Sequence, residues 1–312
     1  MADPVALAAL MLDAAIGWPA PLYRRIGHPV GAFAWMIDHC ERHGNRPHRS
    51  SSVRRGLGIA TMIALIGLVA GVAWAVQAAL IAWLGPLAWL GIALLAFPAL
   101  AQRSLNDHVQ PVQRALERGD LHQARHAVGM IVGRDTATLG EAGVSRAAIE
   151  SLSESFCDGI VAPLFWLVLL GLPGVWAYKA INTADSLIGH KEERWRAFGW
   201  AAARIDDGAN LLPARIGGAM ICVAGLGGWR IMRRDARNHA SPNAGWTEAA
   251  MAGALGLRLA GPVSYDGLTY AKPWIGEGRT NAGPADIARA LILYRRACLL
   301  LWLIALGATT IG

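Results

Sequence analysis

The sequence predicts an all-α fold, a polytopic integral membrane helical bundle with short broken or re-entrant helices and polar helical loops. Three observations predict it. The 312 residues are 54% hydrophobic and 16% charged, with a mean hydropathy of +0.35, where soluble domains carry about a quarter charged residues. No charge interrupts the run from Gly56 to Gln102, and a helix of that length would measure roughly 70 Å, enough for two bilayer crossings. No run of alternating β-branched residues marks a strand. The abundance of Leu, Ile, Val, Ala and Trp also excludes an intrinsically disordered chain.

The apolar stretch at 4–22 follows Asp3 and contains Asp13, so it lacks the basic start of a signal peptide and reads as a retained first helix. The stretches at 57–76 and 79–100 have the length of a transmembrane hairpin. Residues 101–156 are polar, with helical spacing in Val112, Ala115 and Leu116 and a break at Gly119-Asp120. They form a polar helical insertion within one membrane-embedded domain spanning 1–312. The 159–178 stretch holds Pro163 and Gly171-Leu172-Pro173-Gly174, which break a helix into two short pieces. Only 14 uncharged residues separate Arg215 from Arg230, and Gly217, Gly218, Gly225, Gly227 and Gly228 lie among them. Both stretches read as re-entrant or bundle-buried. The last stretch, 290–311, spans once Arg295 and Arg296 sit at or near an interface.

The net charge of +7 and pI near 9.7 point to basic cytoplasmic loops rather than to nucleic acid. Seven basic residues fall in 23–56, six in 101–156, six in 177–215 and eight in 230–289, so no loop is depleted. The expectation is that most polar loops, including Asn182 and Asn238, face the cytoplasm and that 159–178 turns back. Trp18, Trp83, Trp176 and Trp229 lie near stretch ends, where interfacial placement and core packing are both reasonable. Cys40, Cys157, Cys222 and Cys298 are scattered without a CxxC pair, which indicates neither zinc nor a disulfide framework.

Several polar blocks carry residue types suited to chemistry. Glu150, Glu154 and Asp158 recur at i, i+4 and i+8, placing three like charges on one helical stripe that a cation such as Mg²⁺ would bridge. A solvated face is the alternative, weakened because the stripe ends at an apolar segment. Ser151, Ser153 and Ser155 add hydroxyls nearby. In YKAINTADSLIGH, Lys179, Asn182, Asp185, Ser186 and Gly189 share one helical side, where Lys suits phosphate and Asp suits metal; a surface ion pair is equally compatible. ARIDDGANLLPARI gathers Arg204, Asp206, Asp207, Asn210 and Arg215, a set resembling a divalent-cation cluster, with Asp207 as a plain helix cap the other reading. RRDARNHASPNAGWTEAAMAGALG joins Arg233, Arg234 and Arg237 to Asn238, His239, Ser241, Asn243 and Glu248. Its SPNAG core reads as a tight turn before a small-residue helix whose free N–H groups suit an anion. Tyr265, Asp266 and Gly267 follow in a loop, and Arg134 with Asp135 forms another charged pair.

The blocks ESLSESFCDGIVAPLFW, YKAINTADSLIGH, FGWAAARIDDGANLLPARI and RDARNHASPNAGWTEAAMAGALGLRLAGPVSYDG, with the early GHPV at 27–30 and GRDTATL at 133–139, resemble the signature of the CobD/CbiB family. Members are membrane-bound adenosylcobinamide-phosphate synthases of cobalamin (vitamin B12) biosynthesis. The resemblance covers nearly the whole chain and is most specific between 133 and 267. It implies an amide-forming ligase that joins adenosylcobyric acid to aminopropanol phosphate, or to a related amino alcohol or threonine phosphate. ATP would drive the step by way of an acyl phosphate, with Mg²⁺ on the nucleotide phosphates. It further implies an integral protein of the bacterial inner membrane with its active site facing the cytoplasm, in contact with lipid and in possible complex with other cobalamin-biosynthesis proteins.

Carried over by position, Glu150, Glu154, Asp158 and Asp185 become metal ligands, and Asp206, Asp207 and His239 catalytic groups. Lys179, Asn182, Ser186, Arg204, Asn210, Arg234, Asn238, Ser241 and Asn243 become substrate or nucleotide contacts. The chain departs from the family pattern at Ser155, where Asn is expected, at Gly208, where a larger apolar residue is expected, and in the GHKEE run. The alternatives are a scaffold for other enzymes of the pathway, a transporter, disfavoured because no inverted repeat is visible, and a lipid phosphotransferase, whose fixed set of aspartates is missing.

Overall fold

The computed structural model describes residues 4–265, 268–270 and 273–311. In chain order the helices are α1 Val5–Ile16, α2 Ala20–Ile26, α3 Pro29–Gly44, α4 Ser51–Leu84, α5 Ala88–Ala96, α6 Gln102–Glu117, α7 Leu121–Gly129, α8 Glu141–Phe156, α9 Ala162–Ile188, α10 Glu193–Arg196, α11 Trp200–Ala209, α12 Leu211–Ala224, α13 Trp229–Asp235, α14 Ala244–Leu255 and α15 Pro284–Ile311. A π-helical turn, Cys157–Val161, follows α8. Short strands complete the chain: β1 (Leu259–Ala260) pairs antiparallel with β4 (Trp274–Ile275), and β2 (Val263–Tyr265) with β3 (Leu268–Tyr270). Strands of two or three residues carry no alternating pattern for a sequence to display.

The chain divides into two units, one of Met1–Ala101, Ala162–Asn210 and Thr309–Gly312, the other of Gln102–Val161 and Leu211–Ala308. Among the described residues, three helical segments are long and apolar enough to cross a membrane: Ser51–Glu117, Glu141–Ile188 and Pro284–Thr309. Val5–Ile16 with Pro21–Gly44, bent by 99°, makes a fourth if counted as one span. This is a membrane protein.

In the first unit, α4 starts at Ser50, whose hydroxyl accepts the Val53 N–H at 3.4 Å. It continues through residues 77–78, where the sequence reading places the hairpin break, and ends at Gly85 (φ +51) before Pro86. Nothing at 77–78 disfavours a helix, whereas Gly-Pro does. The reversal brings α5 back along α4, with Gly91 so close that a Cβ there would lie 2.9 Å from Leu80 Cδ2. Ile63, Leu68, Val72, Trp74, Ile81 and Trp83 of α4 are exposed, a face suited to lipid.

α9 is broken at Gly171 (φ +69), as the Gly and Pro cluster predicts, leaving nine residues before the break. The break falls within the continuous Glu141–Ile188 segment, which is long and apolar enough to cross. The Leu172 N–H freed by the break donates to Gln77 Oε1 at 2.8 Å. The core of this unit joins Ile37, Met62, Leu65, Ala184, Ile188 and Phe198. Gly58 lets α4 reach the backbone at Phe198, where a Cβ would sit 1.9 Å from the carbonyl oxygen.

In the second unit the polar segment forms α6 to α8. α6 buries Val109, Val112, Ala115 and Leu116, and the break at Gly119 (φ +72) leads to Asp120, whose carboxylate caps α7 by accepting the Gln123 N–H at 2.9 Å. α12 has 14 residues, about 21 Å, too short to cross alone. α14 is buried on nearly every side, as its small residues allow. A Cβ on Gly218 would lie 2.9 Å from the Trp246 carbonyl oxygen, and one on Gly253 2.8 Å from Gly228 Cα.

Candidate functional site

In the first unit, α9 carries Asn182 and Asp185 one turn apart, and α11 carries Asp206 opposite them. Asp206 and Asn210 are buried, 8% and 2% exposed. Asn210 donates to Asp206 Oδ2 at 3.0 Å and accepts the Tyr178 hydroxyl at 2.9 Å, so a buried chain of three groups fixes the carboxylate. Asp206 Oδ1 is buried without a hydrogen-bond partner among the described residues. Burial chiefly, and then the Asp185 charge, push the Asp206 carboxyl well above the usual carboxylate range, while Asn210 and Asn182 favour its ionised form. Gly189 leaves room for Asp185: a Cβ there would stand 1.9 Å from Asp185 Oδ1.

Asp207 lies beside this group and pairs with the exposed Arg204 at 3.3 Å. Ser186 is turned back on its own helix, its hydroxyl donating to the Asn182 carbonyl at 2.9 Å. Lys179 lies close enough to His28 for their charges to interact. The sequence reading missed Tyr178, whose signal was its position one turn before Asn182 in the same block.

In the second unit, Glu150 is engaged on both oxygens. Arg134 donates to Oε2 at 2.6 Å and the Ala260 N–H to Oε1 at 2.9 Å. Arg134 thus partners Glu150 rather than Asp135, whose carboxylate accepts the Ala137 N–H at 2.8 Å. Glu154 is exposed and Asp158 half-buried. Because the π-turn begins at Cys157, the α-helical register linking Glu150 to Glu154 does not continue unchanged to Asp158.

His239 and Glu248 form a pair, Nε2 to Oε2 at 3.5 Å, with Glu248 buried. The Ser241 N–H donates to His239 Nδ1 at 3.0 Å, which assigns the ring proton of the neutral imidazole to Nε2, facing Glu248. Ser241 Oγ accepts the N–H groups of Asn243 and Ala244 at 3.2 and 3.3 Å, so part of the helix end expected to cradle an anion is already capped. Gly245 allows this turn, since a Cβ there would lie 2.1 Å from the Ala236 carbonyl oxygen. Arg215 donates to Asn243 Oδ1 at 3.3 Å and stacks over Trp246, 4.7 Å from its ring centroid. Asn238 is exposed.

Arg234 is held by Asp235, at 2.5 and 2.6 Å, and by Glu277, a partner the sequence reading missed because it lies 43 residues away. Asp235 also accepts the Gly276 N–H at 2.8 Å. Asp266 and Gly267 lie outside the described residues. Among the described residues no three Asp, Glu, His or Cys groups gather as a self-sufficient metal site. One or two carboxylates with waters and phosphate oxygens are enough for Mg²⁺, and Asp206, with its unsatisfied buried oxygen beside Asp185, fits that donor set.

The family model described as CobD/Cbib protein matches residues 6–294. "Cobalamin biosynthesis protein CobD" of Rhodobacter capsulatus is 50% identical over 295 residues, covering 93% of this chain and 91% of the relative. Proteins of the same name from Sinorhizobium sp and Brucella suis biovar 1 are each 45% identical, over 300 and 316 residues, covering 93% and 97% of this chain and 93% and 96% of theirs. No solved structure matches. Identity at this level along nearly the whole length settles descent: the chain belongs to the CobD/CbiB family of cobalamin biosynthesis.

Proposed function

We propose that the protein is an ATP-dependent ligase that joins a propionate carboxylate of adenosylcobyric acid to the amine of aminopropanol phosphate, or a related amino alcohol phosphate. The observation that supports this beyond family membership is the buried Asp206 beside Asp185, two carboxylates whose mutual repulsion a cation would relieve. A carboxylate at neutral pH is a poor electrophile. Transfer of the γ-phosphoryl group of ATP to it, with ADP leaving, gives an acyl phosphate; attack by the amine then forms the C–N bond and releases phosphate. Mg²⁺ bound with the nucleotide would neutralise the phosphate oxygens during that transfer.

The chain's own residues then have separate tasks. Asp206 and Asp185 hold the cation, with Asn210 and Tyr178 fixing the carboxylate and Asn182 favouring its charge. Lys179 meets nucleotide phosphate. In the second unit, His239 would take the ammonium proton at Nδ1, the nitrogen that accepts the Ser241 N–H and would have to exchange that partner for the substrate, while Glu248 beside Nε2 would stabilise the imidazolium so formed. Arg215 and Asn243 offer donors to a propionate or phosphate oxygen. Glu150 and Arg134 support the fold beside that region, while Glu154 and Asp158 remain candidate cation ligands.

The test combines detergent-purified protein with adenosylcobyric acid, aminopropanol phosphate, ATP and Mg²⁺, omitting each in turn. A product lighter than the two joined substrates by one water, formed only with all components and with release of phosphate, supports the ligase. A folded sample that binds the corrinoid but neither hydrolyses ATP nor forms product supports a scaffold instead.

A further inference from the structure

A cleft of about 920 Å³ opens in the first unit where α3 ends, α4 begins and α10 packs against them. None of the residues assigned above lines it. Glu41 is 5% exposed and Asn45 8% exposed, so the cleft floor is a buried polar network. Asn45 Nδ2 donates to Glu41 Oε1 at 2.9 Å and to the Arg194 carbonyl at 3.0 Å, while Arg194 Nη2 contacts both Glu41 oxygens at 3.3 and 3.4 Å. The Glu41 charge is therefore answered by Arg194.

Arg54 is fixed to the same network through Nε, which donates to Asn45 Oδ1 at 2.6 Å, and through Nη2, which donates to the Arg194 carbonyl. Both acceptors are neutral. Arg54 thus keeps its full charge and its remaining N–H groups, held in a fixed orientation at the cleft wall. Arg46 lines the same cleft, exposed and without a side-chain partner among the described residues. One free carboxylate, Glu193, shares the lining.

Two unneutralised guanidinium groups, one of them preorganised, suit a phosphate. A carboxylate within the same cleft disfavours a bare dianion and favours a phosphate whose ester arm carries an ammonium. We propose that this cleft binds an amine-bearing phosphate ester, with Arg46 and Arg54 on the phosphate and Glu193 on the amine. The same chemistry belongs to a free amino alcohol phosphate and to the headgroup of phosphatidylethanolamine. If the free compound is the occupant, the cleft is where the amine substrate of the proposed ligase is taken up, and to that extent the inference rests on that reading.

The experiment measures binding of phosphoethanolamine and of inorganic phosphate to the full chain in detergent, with Arg46→Ala and Glu193→Gln as variants; neither residue belongs to the buried network. Saturable phosphoethanolamine binding, weakened about tenfold by Arg46→Ala, and weakened by Glu193→Gln while inorganic phosphate binding is not, supports the proposal. No saturable phosphoethanolamine binding by folded protein, or binding that both variants leave unchanged, overturns it. Repeating the titration in nanodiscs with and without phosphatidylethanolamine identifies the source: loss of binding only in the phosphatidylethanolamine discs assigns the cleft to the headgroup, and equal binding assigns it to the free ester. Binding without amide formation in the complete reaction would sink the ligase reading and leave the cleft standing.

Discussion

Asp206 holds its proton more tightly in the folded chain than in the unfolded one, because burial and Asp185 both oppose its charge. Its contribution to stability is therefore greatest below the ordinary carboxylate range and is lost as pH rises through the elevated value. In the presence of EDTA, thermal melts of the wild type from about pH 5 to pH 8 should fall more steeply than those of Asp206→Asn. Parallel slopes would refute the assignment. Turnover of the same variant should drop about 100-fold, as for groups that hold a metal in place. Asp235 works in the opposite sense: the Arg234 hydrogen bond chiefly, helped by the Gly276 N–H, holds its carboxyl below the usual range. Its stabilisation is present above that range and is lost as pH falls through the depressed value. Asp235→Asn should therefore lower the melting temperature at neutral pH and narrow the gap from wild type below about pH 4.

The break in α9 shows what sequence makes legible at the scale of an element and what it hides. Gly171, Leu172, Pro173 and Gly174 announce the interruption, and Gly171 adopts φ +69 as only glycine does readily. The group that makes the interruption tolerable, Gln77, lies 95 residues away, inside a run that reads simply as apolar. A buried N–H without a partner costs about 1 to 3 kcal/mol, so Gln77→Leu should lower stability by that amount despite raising hydrophobicity, as a denaturation series in detergent would measure. The site follows the same division. Asp206, Asn210 and Asp185 were visible as residue types at helical spacing, because i to i+4 neighbours on a helix share a face. The partners of Glu150, Arg234 and Asn210 were not, since Arg134, Glu277 and Tyr178 come from other elements and only folding brings them near. Gly245 gave no signal beyond its place in a turn, yet its Cβ position is occupied by the Ala236 carbonyl. Gly245→Ala should displace the turn holding His239 and Ser241, seen as lost activity with the helix content of the protein little changed.

At the scale of the whole molecule, the distribution of charge constrains topology more tightly than the lengths of the helices do. Each long polar segment carries six to eight basic residues, and a chain in which those segments alternated sides would place comparable positive charge on both faces of the membrane. A segment at 159–178 that turned back at Gly171, together with an α12 of only 14 residues, would remove the need for alternation. On that arrangement the segments bearing Ser186 and Asn238, both exposed, would share the cytoplasmic side. With the four native cysteines replaced, Ser186→Cys and Asn238→Cys should each resist a membrane-impermeant maleimide in intact cells and react once the membrane is opened. Reaction of either one from outside would place its segment across the bilayer. It would also require 159–178 or α12 to cross, and of the two the Glu141–Ile188 segment, long and apolar enough to do so, is favoured over an α12 of 14 residues.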